Sequence, residues 1–447
     1  MRLFEMAVAI DQQQHHGFKP FSRSQRCKLQ SFGHLDYNNI LQLNQQTTFS
    51  HSFELAFQAD NIHRSFSTPC LPLTGGDDLH SPHPRIEVVR GSGAPVHTLV
   101  VEVAIAMASG IQPIPLPNGL GGAYVFHNQN GNNIAVAKPV DEEPYAINNP
   151  KGLNNSPQIM LGQPGLKRSI RIGETGIREL AAYLLDHGAF AGVPPTALVK
   201  FCHATFSDTS ATVKLASLQR FVGHGFDAGE LGPSFFSVGS VHQIGILDIR
   251  LLNLDRHAGN MLVMKHDQKS YCANGGAVAD LVPIDHGFCL PEWLDDPYFE
   301  WLHWPQASIP FSESELEYIL KLDPFKDADI LRAEVPSLRE ASIRVLIVCT
   351  IFLKQAAAAG LCLADIGQMM TREFCRGKES SSSELENICL QVKASINNES
   401  EKEEQESSCG VGGISFGDMN KGEWELFLEI FDKFVIGVFE EKKTYKS

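Results

Sequence analysis

Four residues that could perform acid–base and phosphate chemistry lie close together in the chain. Asp255, Arg256, His257 and Asn260 belong to the stretch LDIRLLNLDRHAGN, and a second acid, Asp285, follows after a strand-like run. An acid can orient or deprotonate an attacking hydroxyl, while an amide and a further acid can hold Mg²⁺ on the phosphates of ATP. The order and spacing of these residues are therefore typical of enzymes that transfer a phosphoryl group.

Each of the two acidic loops also has an ordinary structural explanation. Asp-Arg and Asp-His pairs often form surface salt bridges, and an Asn before an apolar run is common in turns. Either loop alone would favour that explanation. Both loops together, in this order and separation, favour a catalytic site that contains Asp255 and Asp285.

The composition indicates a globular protein. Hydrophobic residues make up 43% of the 447 positions and charged residues 20%, which is ordinary for soluble chains. The net charge of −15 disfavours nucleic acid as a partner and disfavours anionic membranes through bulk electrostatics. Lys167, Arg168 and Arg171 form a local basic patch, for which a solvated surface is the simplest interpretation.

Cysteine usage and apolar runs indicate where the chain resides. The ten cysteines are scattered without a CxxC pair or a Cys/His metal spacing, which predicts reduced thiols in the cytoplasm, with the nucleus as an alternative. No secretory signal is visible at the N-terminus. The longest apolar run, residues 345–353, is too short to cross a bilayer. We therefore expect no transmembrane segment and only peripheral contact with membranes.

A glycine-rich stretch precedes a predicted β-hairpin. The sequence GLGGAYVFHNQNGNNIAVAKP, residues 119–139, predicts strands at 123–127 and 133–138 joined by an Asn-Gly-Asn turn. Glycines let backbone N–H groups approach phosphate oxygens, and Lys138 at the end of the second strand could reach the same phosphates. The alternative for Lys138 is a charge that protects an edge strand, but its apolar strand and the following Pro139 argue against it.

The sequence GETGIRELAAYLLDHG, residues 173–188, predicts an amphipathic helix that ends at a glycine. In kinase-type folds a helical glutamate pairs with the strand lysine, so Glu179 is the predicted partner of Lys138. Exposure to solvent is the alternative for Glu179. The strand-like run 214–222 ends before a glycine-rich connection, as the hinge of a two-lobed kinase does, although an ordinary loop has the same pattern.

Four segments of the chain differ in composition. Residues 1–85 are rich in Gln, His, Ser and Asn and predict a disordered, low-complexity region. Residues 86–376 predict a catalytic domain, with an N-lobe at about 110–222 and a C-lobe at about 223–376. Residues 377–420 predict an acidic disordered segment, and residues 421–447 predict an amphipathic helix that docks on the domain or binds a partner.

The chain resembles the phosphatidylinositol 3- and 4-kinase family, and most closely the plant gamma-type, type II-like phosphatidylinositol 4-kinases. The stretches that carry the resemblance include GLGGAYVF, GQPGLKRSIRIGETGIRELAAYLLDH, VHQIGILDIRLLNLDRHAGN and VPIDHGFCLPE, in the family's order over roughly residues 110–375. The resemblance implies an α+β, two-lobed, protein-kinase-like fold with ATP and Mg²⁺ as cofactors. It also implies phosphatidylinositol in membranes as the acceptor.

Carried over position by position, the resemblance implies roles for the matching residues. Asp255 would orient or deprotonate the attacking hydroxyl, His257 would assist at the transferring phosphate, and Arg256 between them completes the predicted catalytic set. Asn260 and Asp285 would be the metal ligands. The predicted nucleotide-binding residues belong to the glycine stretch, the lysine with its helical partner, the hinge and the second acid: Leu120, Gly121, Gly122, Ala123, Tyr124, Val125, Phe126, Lys138, Glu179, Gln219, Arg220, Phe221, Val222 and Asp285.

The leading hypothesis is transfer of the γ-phosphate of ATP to the 4-hydroxyl of phosphatidylinositol, the reaction of a 1-phosphatidylinositol 4-kinase. A Ser/Thr protein kinase on the same scaffold is the first alternative, because the chemistry near ATP would be identical and some plant gamma-type members act on proteins. A catalytically weak, kinase-like scaffold protein is the second alternative, and the intact set Lys138, Asp255, Asn260 and Asp285 argues against it. The groove at residues 286–307 would separate lipid from protein acceptors, and the sequence leaves its shape open.

Overall fold

The structure, a computed structural model, describes residues 66–67, 84–152, 159–202, 206, 213–264, 279–372, 382–399 and 413–446. Most of the predicted low-complexity region, residues 1–85, lies outside the described residues, as do parts of the predicted acidic segment. The strands are β1 (Phe66–Ser67), β2 (Arg85–Arg90), β3 (Ile114–Pro115), β4 (Tyr124–His127), β5 (Asn133–Pro139), β6 (Thr196–Cys202), β7 (Val213–Arg220), β8 (Phe226–Asp227), β9 (Met261–Met264), β10 (Asp280–Pro283), β11 (Trp293–Leu294) and β12 (Ile414–Ser415). The helices are α1 (Ala94–Ala108), α2 (Thr175–Leu185), α3 (Val238–Leu251), α4 (Glu313–Lys321), α5 (Pro324–Glu334), α6 (Glu340–Ala358), α7 (Leu363–Met370), α8 (Glu384–Glu399) and α9 (Lys421–Lys446).

An antiparallel sheet of seven strands forms the N-lobe, in the order β1-β2-β6-β7-β5-β4-β3. The predicted hairpin is confirmed, since β4 pairs with β5. Its turn is shaped by Asn128, whose side-chain oxygen accepts the backbone N–H groups of Asn130 and Asn132 at 2.9 Å each. Gly131 adopts φ 78°, a conformation that glycine allows at no steric cost. These local interactions explain why the short polar sequence reverses the chain.

The two faces of the sheet pack on different helices because side chains alternate along each strand. On one face, Phe126 and Phe201 stack with ring centroids 5.4 Å apart and share an apolar cluster with Val96 of α1. On the opposite face, Leu198 joins the larger cluster that contains Leu180 of α2. Helix α2 therefore lies on the face of the sheet that is turned away from α1.

The N-lobe begins before residue 110, which corrects the boundary predicted from the sequence. Strand β2 pairs with β6, with Arg85 opposite Cys202, and α1 buries Val100 and Val103 against the same sheet. The predicted boundary follows the family resemblance, which begins at about residue 110. Pairing between segments distant in sequence places β2 and α1 within the lobe nevertheless.

Helix α6 is the central helix of the C-lobe and packs against α3, α4, α5 and α9. Among the described residues it is the one helix long and apolar enough to cross a bilayer, and 67% of its apolar stretch is buried inside the protein. Polar Ser342 and Thr350 are also fully buried within it. Packing in the lobe accounts for its apolar composition.

A helix occupies part of the segment that the sequence predicted to be disordered. Helix α8 buries Leu385, Ile388, Cys389 and Val392 and packs against α9. Strand β12 pairs with β11 just before α9 begins. The prediction of disorder is therefore wrong for residues 384–399 and 413–420. The Ser- and Glu-rich composition obscured an apolar stripe at helical spacing, and that stripe is what α8 buries.

Helix α9 carries large apolar side chains every fourth residue. Phe427, Phe431, Val435 and Phe439 are buried, and the ring of Phe439 lies 5.4 Å from that of Phe352 in α6. Residues four apart share one face of a helix, so this stripe docks α9 on the C-lobe.

Candidate active site

A three-stranded sheet, β8-β9-β10, carries the two acidic loops. The loop before β9 contains Asp255 and Asn260, and β10 leads directly to Asp285. Strands β9 and β10 pair antiparallel over their whole length. Beyond this hairpin, the backbone N–H of Ile284 donates to the carbonyl of Asn260 at 3.0 Å. The hairpin therefore brings the two loops side by side.

Lys138 meets acids from two different elements. Its ammonium Nζ lies 2.7 Å from Oε1 of Glu179 in α2 and 2.9 Å from Oδ1 of Asp285. The second carboxylate oxygen of Glu179 accepts the backbone N–H of His286 at 3.0 Å. The predicted pairing of Lys138 with Glu179 is confirmed. Strand β5, helix α2 and the second acidic loop thus converge on one ammonium group.

These charges keep Lys138 and Asp285 ionised. Burial alone would lower the pKa of Lys138, but the carboxylates of Asp285 and Glu179 raise it above its ordinary value. Burial would likewise raise the pKa of Asp285, yet nearby Lys138 lowers it. The pKa of Glu179 is raised, because burial outweighs the attraction of Lys138. The negative charge of Asp285 raises this pKa further. The site therefore holds a permanent cation beside an ionised carboxylate.

The backbone around Asp285 is shaped for a close approach to α2. Asp285 adopts φ 55°, a left-handed conformation that Asp tolerates better than most residues. A Cβ placed on Gly287 would lie 2.9 Å from Cβ of Thr175, at the start of α2. Only glycine fits at this position without a shift. The sequence DHG thus lets the second acidic loop pass directly beside the helix that carries Glu179.

Arg256 does not face the reactants, which corrects its assignment as a catalytic residue. Its guanidinium is fully buried, and Nε donates to the two carboxylate oxygens of Asp248 at 3.0 and 3.1 Å. Its NH1 group donates to the backbone carbonyls of Asn260 at 2.7 Å and Ile284 at 2.8 Å. Arg256 is therefore a positioning residue that ties the two acidic loops together.

Asp248 is a functional residue that sequence reasoning missed. It is buried in α3 and accepts hydrogen bonds from Arg256, from the amide of Asn253 at 2.9 Å and from the indole of Trp301 at 3.0 Å. An acid inside the apolar run GILDIRLL was the available signal, because a buried carboxylate requires several donors. Asp248 thereby organises the loop that contains Asp255.

Asp255 and Asn260 are joined by a direct hydrogen bond. The amide nitrogen of Asn260 donates to the backbone carbonyl of Asp255 at 3.0 Å, which leaves the amide oxygen as the atom able to bind a cation. The Asp255 carboxylate accepts no hydrogen bond within the described part of the chain. His257 is exposed. Its ring lies close to Gly259, because a Cβ added to Gly259 would be 3.1 Å from the ring carbon Cε1 of His257.

The glycine stretch packs against its own chain rather than forming an open phosphate loop. The N–H of Gly122 donates to the carbonyl of Glu142 at 2.8 Å, and a Cβ on Gly122 would lie 2.1 Å from the Glu142 carboxylate. Tyr124 donates its hydroxyl to that carboxylate at 2.7 Å, and Phe126 is fully buried. The N–H of Gly122 and the side chains of Tyr124 and Phe126 are therefore occupied within the protein, and binding of a nucleotide by these residues stays a prediction.

Other residues of this stretch also contact the protein itself. Leu120 is exposed, and its carbonyl accepts the side-chain amide of Asn149 at 2.9 Å. A Cβ on Gly121 would lie 2.9 Å from the carbonyl oxygen of Glu142. The carbonyl of Ala123 accepts the N–H of Leu116 at 2.8 Å.

Two residues of the predicted nucleotide site share the sheet face of Lys138. Val125 pairs with Val136, and Val136 pairs in turn with Gln219. Val136 stands two positions before Lys138, and residues two apart in a strand point to the same face. Val125 and Gln219 therefore lie on the face where Lys138 meets Glu179.

The predicted hinge is the end of β7 and the residues just beyond it. Arg220 turns away from the site and pairs with Glu102 of α1 at 2.5 Å, which corrects its assignment to nucleotide binding. The N–H of Phe221 donates to the carbonyl of Ile134 at 3.0 Å and is already occupied. Val222 is the first residue of the segment whose N–H donates to no other described backbone group.

Comparison with known proteins agrees with this geometry. The family described as "Phosphatidylinositol 3- and 4-kinase" matches residues 119–366, which contain parts of both lobes and both acidic loops. Phosphatidylinositol 4-kinase gamma 8 of Arabidopsis thaliana is 60% identical over 410 residues, covering 90% of this chain and 75% of that protein. Phosphatidylinositol 4-kinase gamma 1 of the same plant is 56% identical over 437 residues, covering 93% and 75%.

A more distant relative agrees as well. Phosphatidylinositol 4-kinase gamma 4 of Oryza sativa subsp. japonica is 40% identical over 352 residues, covering 75% of this chain and 58% of that protein. The α+β, two-lobed kinase-like fold expected from the sequence is confirmed, and with it the use of ATP. Taken with the convergence of β5, α2 and the acidic loops, these matches establish that the chain belongs to the phosphatidylinositol 3- and 4-kinase family.

Proposed function

We propose that this chain transfers the γ-phosphate of ATP to the 4-hydroxyl of phosphatidylinositol. The observation that carries the proposal is the position of Lys138, whose ammonium group lies 2.7 Å from Glu179 and 2.9 Å from Asp285. Asp255 lies on the neighbouring loop and is partly exposed to solvent. The relatives at 60% and 56% identity are named phosphatidylinositol 4-kinases, which favours this lipid as the acceptor.

Asn260 and Asp285 are the residues that would hold Mg²⁺. They offer an amide oxygen and a carboxylate, the hard oxygen ligands that Mg²⁺ takes together with substrate phosphates and water. Within the described ranges, no group of three His, Cys, Asp or Glu side chains forms a separate metal cage. A cation shared with the nucleotide therefore fits this donor set. When bound, it neutralises charge on the phosphates.

Asp255 would orient the 4-hydroxyl and take up its proton. The hydroxyl oxygen forms a bond to the γ-phosphorus, the bond from that phosphorus to the β,γ-bridging oxygen breaks, and ADP leaves. Lys138 opposes the negative charge of the phosphates. Positioning and charge neutralisation supply most of the rate enhancement in such a site.

A paired assay tests the proposal. Purified protein receives labelled ATP with phosphatidylinositol vesicles in one tube and with a generic protein acceptor in the other. Label in the lipid supports the proposal, label in protein alone supports a protein kinase, and label in neither supports a scaffold. Asp255→Asn should lower lipid labelling by roughly 10²-fold or more, judged by typical general-base contributions. Calorimetry should show that this variant still binds Mg·ATP, and normal phosphoryl transfer would contradict the role of Asp255.

We further propose that residues 159–172 form the peripheral membrane contact. Met160, Leu161 and Leu166 expose 74%, 52% and 39% of their surface. Lys167 and Arg168 follow directly and form no ion pair within the described part of the chain. Exposed apolar side chains that can enter the headgroup region, next to cations that attract anionic lipid, are the two components of an interfacial membrane site.

This segment is bonded to the part of the chain that follows the second acidic loop. Arg171, the third cation of the basic patch, pairs with Glu292 at 2.8 Å, and the hydroxyl of Ser169 donates to Asp295 at 2.7 Å. Both acids lie shortly after Asp285. A membrane bound at residues 159–172 would therefore hold the cleft at a constant distance from the lipid.

Sedimentation with vesicles that contain phosphatidylserine tests the membrane contact. Leu161→Ser combined with Lys167→Gln should weaken binding by about tenfold, since one large apolar side chain and one cation are lost. Leu320→Ser is the matched control, because Leu320 is equally exposed at 52% but lies in α4. Equal losses in both variants would contradict a specific role for residues 159–172.

A further inference from the structure

Residues 298–300 run directly alongside the loop of Asp255, within the predicted acceptor groove at residues 286–307, and none of them has been given an individual role. The N–H of Arg256 donates to the carbonyl of Tyr298 at 3.0 Å, and the N–H of Glu300 donates to the carbonyl of Arg256 at 2.9 Å. These two bonds form a parallel bridge between Arg256 and Phe299. The two segments are thus held in register, as neighbouring strands are.

The register determines which side chains lie next to Asp255. Phe299 has extended backbone angles, φ −120° and ψ 98°, and successive side chains of extended segments point to opposite sides. Arg256 and Phe299 point inward and are both buried. Their neighbours Asp255 and Tyr298 therefore share the outer face, and a hydrogen bond to Tyr298 places Glu300, the first residue of a 3-10 helix, on the same side. Tyr298 is 46% exposed there.

Tyr298 and Glu300 form a connected pair on this face. The phenolic hydroxyl of Tyr298 donates to Oε2 of Glu300 at 2.8 Å. The pKa of Tyr298 is raised because Glu300 holds its proton, with partial burial and the negative charges of Glu300 and Asp255 contributing in turn. The influence of Asp255 on this phenol agrees with the register, which places the two side chains together.

We propose that Tyr298 and Glu300 determine acceptor specificity by contacting the hydroxyls that flank the one that Asp255 activates. The inference rests on the proposed function, because a cyclic polyol presents hydroxyl groups on adjacent carbons, whereas a serine side chain presents a single hydroxyl. The Glu300 carboxylate accepts hydrogen bonds from a neutral hydroxyl and repels a phosphate at the same position. The pair thus selects an unphosphorylated inositol ring by attraction to one acceptor and repulsion of the other.

The experiment compares two acceptors in otherwise identical vesicles, phosphatidylinositol and phosphatidylinositol 3-phosphate. The measured quantity is the ratio of their kcat/KM values. Glu300→Gln keeps the size of the side chain and removes its charge, so the preference for the unphosphorylated lipid should fall by about tenfold. Tyr298→Phe should raise KM for phosphatidylinositol by about threefold to tenfold, the effect of one lost hydrogen bond, while KM for ATP stays within about twofold.

Glu317→Gln is the matched control. Glu317 is an exposed acid on α4 that pairs with Lys321 at 2.7 Å, so loss of its charge should leave the acceptor ratio unchanged. A wild-type enzyme that phosphorylates phosphatidylinositol, with both variants at the wild-type ratio and KM, would overturn this inference and leave the proposed function standing. A wild-type enzyme that does not phosphorylate phosphatidylinositol at all would overturn both.

Discussion

Nζ of Lys138 lies 2.7 Å from Oε1 of Glu179, and this ion pair connects the sheet of the N-lobe to α2. Glu179 also accepts the backbone N–H of His286, the residue after Asp285, at 3.0 Å. One glutamate therefore aligns the lysine and anchors the second acidic loop. A displacement of α2 would disrupt both contacts at once, so the position of this helix determines whether the site is assembled.

The ion pair should behave as one unit in catalysis. Lys138→Met should lower kcat/KM for phosphoryl transfer by about 10²- to 10³-fold, because a preorganised charge that opposes the phosphates is lost. Glu179→Gln should lower it by about tenfold, and the double variant should lose less than the product of the two effects, because the residues are in contact. Lys200→Met is the control, since Lys200 is a half-exposed lysine of β6 whose nearest acid is Glu87 at 3.6 Å. Multiplicative effects would contradict the coupling.

Substitution of Arg256 should destabilise the folded protein rather than remove a reacting group. Arg256→Ala leaves the buried carboxylate of Asp248 without its main partner, which should lower the free energy of unfolding by about 3–5 kcal/mol. Arg256→Lys should recover little of this free energy of unfolding, because an ammonium group cannot reproduce the planar set of donors of the guanidinium. Urea unfolding measures both changes. Unchanged stability together with lost turnover would instead indicate the direct catalytic role that the buried position of Arg256 argues against.

Gly122 should be required for packing rather than for flexibility. Gly122→Ala places a methyl group 2.1 Å from the Glu142 carboxylate and 2.8 Å from its Cβ, so the neighbouring chain must shift. We expect a loss of about 1–3 kcal/mol in the free energy of unfolding, the usual effect of overpacking. Gly437→Ala is the control, because Gly437 lies in α9 with open space around it. That variant should be neutral or more stable by up to about 1 kcal/mol.

Glu143 should make stability depend on pH. Its carboxylate accepts the N–H groups of Gly173 and Thr175 at 2.7 and 3.0 Å and the hydroxyl of Thr175 at 2.6 Å, at the start of α2. Burial nevertheless raises its pKa from 4.5 to about 7, because it outweighs these donors. The folded protein then holds a proton that the unfolded chain has already released, so the stability that Glu143 contributes falls as the pH rises through this window.

Comparison of the wild type with Glu143→Gln isolates this contribution, because glutamine does not titrate. Between about pH 4.5 and 7, the free energy of unfolding of the wild type should fall relative to the variant by up to about 3 kcal/mol. Urea unfolding at several pH values measures this difference. Parallel pH profiles for the two proteins would show that Glu143 has an ordinary pKa in the fold.

The sequence by itself determined the order of the chemical groups and the elements that carry them. The hairpin of β4 and β5 and the amphipathic helix α2 follow from local rules: an Asn-Gly turn, a period of two and a period of 3.6. The pairing of Lys138 with Glu179 could also be predicted, because kinase-type folds pair a helical glutamate with the strand lysine. Short-range steric and hydrophobic preferences suffice for such features.

Only the tertiary structure decided which side chains face the reactants. Arg256 and Asp255 are adjacent in sequence, yet Arg256 is buried against Asp248 while Asp255 faces outward, because the register with residues 298–300 alternates inside and outside. Gly122 belongs to a glycine-rich stretch, yet its contact is Glu142 rather than open space for a phosphate. Residue types in sequence do not reveal these contacts, since burial is a property of elements that approach one another from distant parts of the chain.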